Sequence, residues 1–325
     1  MPTTVRPRIG ITMGDPAGIG PECIARSLAA PGVYDACIPV VIGNAAVMES
    51  AATLVGSSQE VRKVPSIEEA SGDPHLVEVL DPDNLRADEV VTAVASAACG
   101  KATWEWRQLA NQLLQDGRLN GTVSAPVNTE ALKLAGLRTG LSSQSPNVLN
   151  FNGSLRIIRF TDHTMLRDVP ALVKKDAVLS VLQMVHAAFT RWGFPDLRIA
   201  VSGLNPNAVG EEEEQEIRPA VEAARTKGIN AVGPLPPDTV FRACADGEYD
   251  LVLAMTHDQA NIAQKTRKLE GTVSIGDPSD PLIRMTVSHG TAYDIAGKGI
   301  ASHESILEAI RVAASFAAGR GFPKS

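Results

Sequence analysis

The chain has 325 residues, of which 44% are hydrophobic, and its 37 acidic and 30 basic side chains give a formal net charge of −7. This length predicts about two domains, and the negative charge argues against a nucleic-acid-binding surface, which would be basic and clustered. No run approaches the ~20 apolar residues of a membrane span, and no secretory signal precedes Ile9. We therefore expect a cytoplasmic protein with neither nucleic acid nor membrane as a partner.

Short apolar runs alternate with longer helical patterns along the chain, which predicts an α/β fold with a largely parallel sheet. A break in this pattern near Asn128–Ser145 is the candidate domain boundary. The predicted strands are Arg8–Met13, Ile38–Ile42, Leu76–Leu80, Gly121–Ala125, Leu155–Phe160, Leu197–Ser202, Leu251–Met255, Thr272–Ile275 and Leu282–Val287. The predicted helices lie in Cys23–Ala29, Asp88–Gln115, Asp176–Trp192 (with Asp176 as N-cap) and Ser302–Ala318.

The four cysteines are widely spaced and form no Cys-x-x-Cys pair, which predicts free thiols in a reducing compartment. They are Cys23, Cys37, Cys99 and Cys244.

The segment Met13–Glu22 contains three glycines and two prolines between the first predicted strand and the first predicted helix. Such a loop lets bare backbone approach a ligand close to a helix N-terminus. It is equally typical of a tight strand-to-helix turn that binds nothing, and the glycine spacing alone does not distinguish the two. Pro21 suits the first turn of the helix that follows.

Polar residues follow four of the predicted strands, where open α/β sheets bind ligands. Three of the six histidines lie in these segments, whereas His75, His186 and His303 are interpreted as structural. Two imidazoles and an oxygen ligand are a suitable set for a divalent metal, which polarises a hydroxyl or carbonyl oxygen. The segments are Thr161-Asp162-His163, Gly203-Leu204-Asn205-Pro206-Asn207, Thr256-His257-Asp258-Gln259 and Ser288-His289-Gly290-Thr291.

Two cations lie near these segments in the sequence, Lys265 and Arg284, and either could anchor an anionic substrate or be an ordinary surface charge. The acidic run Glu211–Glu214 is predicted to be a solvated helix N-terminus.

Five ordered motifs resemble those of the 4-hydroxythreonine-4-phosphate dehydrogenase family, and the resemblance covers nearly the whole chain. The motifs are Met13–Glu22, Gly203–Pro206, Gly233–Thr239, His257–Gln259 and His289–Ala292. The resemblance implies two α/β/α domains of the isocitrate/isopropylmalate dehydrogenase type, with a cleft between them, in a homodimer. It also implies NAD-dependent oxidation of a secondary alcohol, loss of carbon dioxide and a divalent metal held by three histidines. The implied domains are residues 1–130 with 290–325, and residues 131–289 with the metal and substrate residues and the dimer contacts.

Site residues follow from the resemblance position by position. The metal ligands fall on His163, Asn207 and His257, and Asn207 stands where the family has histidine. Because an amide oxygen binds zinc or cobalt more weakly than imidazole does, the metal could be Zn, Co, Mn or Mg. The implied substrate-binding residues are Ser142, Lys265, Ser274 and Arg284, and the implied catalytic residues are Lys265, Asp258 and Asp238. The implied NAD-binding residues are Gly14, Asp15, Gly18, Gly20, His289, Gly290, Thr291 and Asp294.

Several substrate positions depart from the family pattern. The substrate loop Gly-His-Thr-Glu aligns with Gly140-Leu141-Ser142-Ser143, Asn-Lys is replaced by Asn128-Thr129, and Ser274 replaces an asparagine. We therefore expect a small anionic hydroxy acid, either a phosphorylated sugar acid or a compound like 4-hydroxythreonine 4-phosphate. One alternative is a terephthalate-type cis-dihydrodiol dehydrogenase, and another is a family member that binds a metabolite without turning it over. Another β-decarboxylating dehydrogenase group of the same fold is disfavoured, because that group holds its metal with aspartates.

Overall fold

The structure is a computed structural model that describes residues 6–137, 147–267 and 271–323. The chain divides into two compact units. Unit 1 takes the described residues within Met1–Ser142, Leu282–Ala318 and Phe322–Ser325, and unit 2 those within Ser143–Pro281 and Gly319–Gly321. The α/β fold predicted from the sequence is confirmed.

Twelve strands occur in the described part of the chain. They are β1 (Arg8–Thr12), β2 (Ile38–Ile42), β3 (Glu60–Lys63), β4 (Leu76–Leu80), β5 (Gly121–Ser124), β6 (Leu149–Asn152), β7 (Leu155–Arg159), β8 (Ile199–Ser202), β9 (Ala231–Leu235), β10 (Leu251–Ala254), β11 (Val273–Ile275) and β12 (Arg284–Val287).

The α-helices of the same residues are α1 (Gly20–Leu28), α2 (Val33–Ala36), α3 (Ala45–Leu54), α4 (Ala97–Gln115), α5 (Thr129–Leu134), α6 (Val169–Leu172), α7 (Lys175–Arg191), α8 (Arg218–Thr226), α9 (Val240–Ala245), α10 (His257–Arg267) and α11 (Glu304–Ala317). None of these helices is both long enough and apolar enough to cross a membrane.

Unit 1 is built on parallel strands in the order β3-β4-β2-β1-β5-β12. The central strand β1 buries Ile9 and Ile11 completely, as expected for a parallel strand that is covered on both faces. The edge strand β3 is mostly exposed and polar, which suits a position with only one neighbour.

Unit 2 combines parallel and antiparallel pairing in the order β11-β6-β7-β10-β8-β9. Strands β7, β10, β8 and β9 are parallel, whereas β6 pairs with both β7 and β11 in the antiparallel sense. One hydrophobic cluster of unit 2 lies between this sheet and α9, where Ile157, Val252 and Phe241 pack together.

All nine predicted strands are present, with ends within two residues of the prediction, and three further strands, β3, β6 and β9, were not predicted. Two helix details were wrong. Residue 88 belongs to a short 3-10 turn, and α4 begins only after Ser96, whose side chain accepts the Cys99 N–H as an N-cap. Asp176 lies inside the first turn of α7, and the N-cap is Lys174.

The prediction of free thiols is confirmed, since all four cysteines are unpaired and buried. Burial raises the pKa of Cys23 and of Cys37 to about 12, which keeps both thiols protonated and unreactive at neutral pH.

Candidate functional site

Three neighbouring parallel strands of unit 2 end at the same edge of its sheet. The strands are β7, β10 and β8, with β10 in the middle. The segment after β7 carries His163, the segment after β10 carries His257, and the turn after β8 carries Asn207. Since parallel strands place their carboxyl ends side by side, the three positions predicted as metal ligands belong to adjacent loops.

Asp162 lies between the two histidines. Its Oδ1 is 2.9 Å from His257 Nδ1, and its Oδ2 is 3.3 Å from His163 Nδ1. The two imidazole centroids are 4.8 Å apart. His163 is 81% exposed at its side chain, whereas His257 and Asp162 are largely covered. The structure therefore brings His163 and His257 together, with a carboxylate between them.

Arg159, the last residue of β7, adds a buried cation to this group. Its Nη1 is 2.9 Å from Asp162 Oδ1 and 3.0 Å from His257 Nδ1. Burial lowers the pKa of Arg159, while the nearby Asp162 carboxylate raises it. An arginine remains protonated in proteins, so the cluster holds a permanent positive charge beside a carboxylate. The sequence analysis assigned no role to Arg159 or to Asp162, because the pattern of a hydrophobic strand does not show the direction of the side chains at its end.

Asp162, His163 and His257 offer one ligand atom each within 4.8 Å of one another. Imidazole nitrogen and carboxylate oxygen are ordinary ligands for zinc and for other divalent transition metals. The donor chemistry of the cluster thus fits a divalent metal.

The turn with Asn207 has an unusual backbone. Asn207 and Ala208 adopt φ values of +58° and +54°, in the left-handed region that non-glycine residues seldom occupy. A buried carboxylate holds this loop: Glu213 Oε1 accepts the backbone N–H groups of Leu204 at 2.7 Å and Asn205 at 2.8 Å. The prediction that the acidic run is solvated is therefore wrong for Glu213, which is fully buried.

Gln259 ties the loops after β10 and β8 together. Its Oε1 accepts the Met255 N–H at 2.9 Å, and its Nε2 donates to the Gly203 carbonyl at 3.0 Å. The same α10 helix carries Asp258 and Lys265, and both are exposed. Asp238, the third predicted catalytic residue, is also exposed and lies in the turn before α9.

The predicted substrate residues are distributed over both units. Ser274 on β11 is buried, and its hydroxyl donates to Asn150 Oδ1 at 2.7 Å. Arg284 on β12 belongs to unit 1, where its Nε donates to Asn111 Oδ1 at 3.1 Å. Ser142 lies outside the described residues.

The glycines of the loop before α1 are required by close packing. A Cβ on Gly14, whose φ is +70°, would lie 2.3 Å from the Pro126 carbonyl oxygen, and a Cβ on Gly20 would lie 2.5 Å from the Met13 oxygen. A Cβ on Gly18 would lie 2.8 Å from Thr291 Cβ. Packing alone thus accounts for the missing side chains at all three positions.

This loop is bonded to the segment of unit 1 that follows β12. The Ile19 N–H donates to the Thr291 carbonyl at 3.1 Å. Asp15, which is 1% exposed, accepts a hydrogen bond from the Tyr293 hydroxyl and another from the Ala17 N–H at 3.1 Å. Burial raises the pKa of Asp15, and the Tyr293 hydrogen bond opposes that rise. The two stretches predicted to bind the cofactor are therefore in direct contact.

Within that segment the other predicted cofactor residues differ in exposure. Gly290 and Asp294 are exposed. Among the described residues, the His289 side chain has one hydrogen-bond partner, the Gly290 carbonyl, which lies 3.0 Å from Nδ1. A cavity of about 320 Å³ lies beside the glycine loop, and its lining includes Gly18, Glu22 and Gly297.

The sequence matches the family described as "Pyridoxal phosphate biosynthetic protein PdxA" over residues 35–313. The chain belongs to the PdxA family. The resemblance inferred from the five motifs is thereby confirmed, and with it membership of a dehydrogenase family.

PdxA relatives cover almost the whole chain. A "Putative 4-hydroxythreonine-4-phosphate dehydrogenase" of Novosphingobium aromaticivorans is 41% identical, over 99% of this chain and 98% of the relative. A "D-threonate 4-phosphate dehydrogenase" of Cupriavidus necator is 38% identical, over 97% of this chain and 98% of the relative. The crystal structure of a 4-hydroxythreonine-4-phosphate dehydrogenase from Burkholderia phymatum has a TM-score of 0.80 at 34% identity, and covers 96% of this chain and 98% of that one.

Proposed function

We propose that this PdxA-family protein is an NAD-dependent, metal-assisted and decarboxylating dehydrogenase of a small anionic hydroxy acid. The observation that carries the proposal is the cluster of His163, His257 and Asp162 at the carboxyl edge of the unit 2 sheet. In a member of a dehydrogenase family, two imidazoles at this edge would hold a metal, and the metal would polarise the reacting hydroxyl.

His163 and His257 would hold the metal, with the Asn207 amide oxygen as the third ligand from the adjacent loop. Glu213 supports this role, because its hydrogen bonds to Leu204 and Asn205 fix the loop that carries Asn207. With one amide oxygen in the set, Zn and Co are expected to bind less tightly than they would to three imidazoles, and Mn and Mg become competitive.

The cofactor would bind to unit 1, along the glycine loop and His289–Asp294. Glu22, which is 3% exposed, lines the cavity beside this loop. Its Oε2 accepts the Gly299 N–H, but its Oε1 accepts no hydrogen bond from the described protein atoms. A buried carboxylate oxygen needs a donor, and a ribose hydroxyl of NAD would supply one.

When bound, NAD would accept a hydride and the metal would polarise the oxygen that becomes the ketone, which prepares the neighbouring carboxylate for release as carbon dioxide. The chain's own residues would hold the substrate and move its protons. Lys265 and Arg284 would bind its anionic groups, and Ser274 and Ser142 would contribute hydroxyls. Lys265, Asp258 and Asp238 are the proposed proton carriers.

The names of the relatives suggest the substrate class. One is named for 4-hydroxythreonine 4-phosphate and another for D-threonate 4-phosphate, so a four-carbon phosphorylated hydroxy acid is the first candidate. A terephthalate-type cis-dihydrodiol is the alternative substrate. A second alternative is a family member that binds its metabolite without turnover. Asn207 favours this alternative, because an amide in place of an imidazole would weaken the metal site.

We also propose a cytoplasmic homodimer whose dimer contacts lie in unit 2. Several large apolar side chains of unit 2 are exposed in the segments that follow β7, β8 and β10, where a partner subunit would cover them. They are Met165, Leu166, Val209 and Ile262.

A substrate panel tests the function. The purified protein is incubated with NAD or NADP, with Mg, Mn, Co or Zn, and with 4-hydroxythreonine 4-phosphate, D-threonate 4-phosphate or terephthalate cis-dihydrodiol. Reduced cofactor and carbon dioxide are both measured. We expect metal-dependent NADH and carbon dioxide in equal amounts with one phosphorylated acid. Absence of NADH with every substrate and metal would contradict the proposal and favour the binding protein.

A further inference from the structure

Asp162 contacts the same nitrogen of both predicted metal histidines. Its two oxygens divide between them, Oδ1 at 2.9 Å from His257 Nδ1 and Oδ2 at 3.3 Å from His163 Nδ1. A carboxylate that bridges two imidazoles in this way constrains both rings at once.

The chemistry of a carboxylate decides which tautomer it stabilises. An ionised carboxylate only accepts hydrogen bonds, so a favourable contact requires a proton on the facing Nδ1. A hydrogen bond to a charged acceptor is also about twice as strong as one between neutral groups. A neutral imidazole with its proton on Nδ1 has its lone pair on Nε2, which is then able to bind a metal.

Arg159 presents the competing possibility for His257. Its Nη1 is 3.0 Å from His257 Nδ1, so it could donate to that nitrogen if the ring carried its proton on Nε2. The Nδ1 lone pair would then face the Asp162 Oδ1 lone pairs at 2.9 Å, an unfavourable contact. With the proton on Nδ1, both Arg159 and His257 donate to the same carboxylate oxygen, which has room for two donors.

We propose that Asp162 is a positioning residue that sets His163 and His257 in the Nδ1–H tautomer and so leaves both Nε2 atoms free to bind a metal. Arg159 holds the carboxylate in place through its ion pair. The role of Nε2 rests on the metal-assisted function proposed above, whereas the tautomers belong to the protein itself and are measured without metal.

The test is NMR of protein with ¹⁵N-labelled histidine, treated with a chelator and held at a pH where the ¹⁵N shifts show both rings to be neutral. His163→Ala and His257→Ala assign the resonances. We expect Nδ1–H for both rings in the wild type. In Asp162→Asn at least one ring should change to Nε2–H, because an amide NH₂ donates where the carboxylate accepted.

Asp168→Asn is the matched control, since it removes a carboxylate from the same segment. The Asp168 side chain is 53% exposed, and its Oδ1 lies 3.8 Å from Arg167 Nε, at the long end of the range for an ion pair. Both tautomers should be unchanged in this variant. A wild-type His257 with its proton on Nε2 would show that Arg159 donates to Nδ1, and would overturn the proposal. Unchanged tautomers in Asp162→Asn would overturn it as well.

Zinc titration by calorimetry supplies the second readout. Loss of a residue that orients metal ligands typically weakens metal affinity by about 10–100-fold, which we expect for Asp162→Asn but not for Asp168→Asn. Zinc bound through Nδ1 in the loaded wild type would instead make Asp162 a direct ligand or a bystander, and would refute the positioning role. If the wild type binds no zinc, the metal proposal fails while the tautomers still decide the role of Asp162.

Discussion

Glu213 and Asn205 are joined by two hydrogen bonds, one from the Asn205 backbone N–H to Oε1 and one from Asn205 Nδ2 to Oε2, each 2.8 Å long. Oε1 also accepts the Leu204 N–H. Because Glu213 is fully buried, water cannot replace these bonds. The carboxylate therefore determines the conformation of the loop in which Asn207 takes its positive φ.

We expect Glu213→Ala to lower the free energy of unfolding by roughly 2–4 kcal/mol, because buried N–H groups lose a charged acceptor. Glu213→Gln should lower it by roughly 1–2 kcal/mol, since the remaining oxygen can still accept from the backbone. Urea denaturation measures both. Glu214→Ala is the control: Glu214 is 61% exposed and is paired with Arg218, so its loss should leave the free energy of unfolding nearly unchanged. Equal effects of the alanine variants at 213 and 214 would contradict the assigned role of Glu213.

Gly18→Ala should destabilise unit 1 and impair cofactor binding. Its Cβ would lie 2.9 Å from the Thr291 carbonyl oxygen, so the contact between the two loops must open. We expect roughly 1–3 kcal/mol of lost stability and a higher KM for NAD. The stability control is Gly290→Ala in the segment that carries Thr291, because a Cβ on Gly290 would meet nothing within 4 Å. A Gly18→Ala protein as stable as Gly290→Ala would show that the loops separate without strain.

His257→Ala should remove bound metal and activity while the fold stays intact. The ring offers one ligand atom and contacts Asp162, but it is not part of the hydrophobic cluster of unit 2. Metal content after dialysis, turnover and the far-UV spectrum are measured together. His75→Ala provides a control, because His75 is an exposed histidine in a turn of unit 1. Turnover that survives in His257→Ala would exclude a metal role for this residue.

Tyr293→Phe should destabilise the protein more at pH 7 than at pH 4.5. Burial raises the folded-state pKa of Asp15 above its unfolded value of about 3.9, so stability from this group is full below pH 3.9 and falls as the pH rises through the raised value. The Tyr293 hydroxyl offsets part of that loss by donating to the ionised carboxylate. Without it we expect about 2 kcal/mol less stability at pH 7, and a smaller difference once Asp15 is protonated.

Tyr34→Phe is the matched control for this pH dependence. The Tyr34 hydroxyl donates to the Leu76 carbonyl at 2.7 Å, and a carbonyl does not titrate. Urea unfolding at the two pH values should give the same difference between Tyr34→Phe and wild type. A Tyr293→Phe difference that is equally independent of pH would mean that Asp15 does not change its ionisation between the two pH values.

A continuously apolar segment is the easiest strand to predict from a sequence. Ile38–Ile42 was located to the residue, because five consecutive apolar residues leave few alternatives. Glu60–Lys63 was missed because this edge strand is polar and exposed. Leu149–Asn152 was missed because two buried asparagines interrupt its apolar pattern, and each finds a hydroxyl partner on or beside β11, Ser274 or Thr272.

The candidate site was predictable in its strand-end positions and not in its side-chain contacts. His163 and His257 were located because each follows an apolar run. The roles of Asp162 and Arg159 depend on which way two neighbouring side chains turn, which no periodicity encodes. Glu213 was indistinguishable in the sequence from the other glutamates of its run, and only packing under the β8 loop separates it from them.

The discontinuity of unit 1 bears on how the protein is synthesised. Strand β5 pairs on one side with β1 and on the other with β12, whose residues leave the ribosome some 160 positions after those of β5. Nearly all of unit 2 emerges in one stretch between them. During translation, one edge of β5 therefore remains unpaired until β12 has been made. A ribosome stalled before β12 would carry a nascent chain whose second half can fold while its first half still exposes that edge.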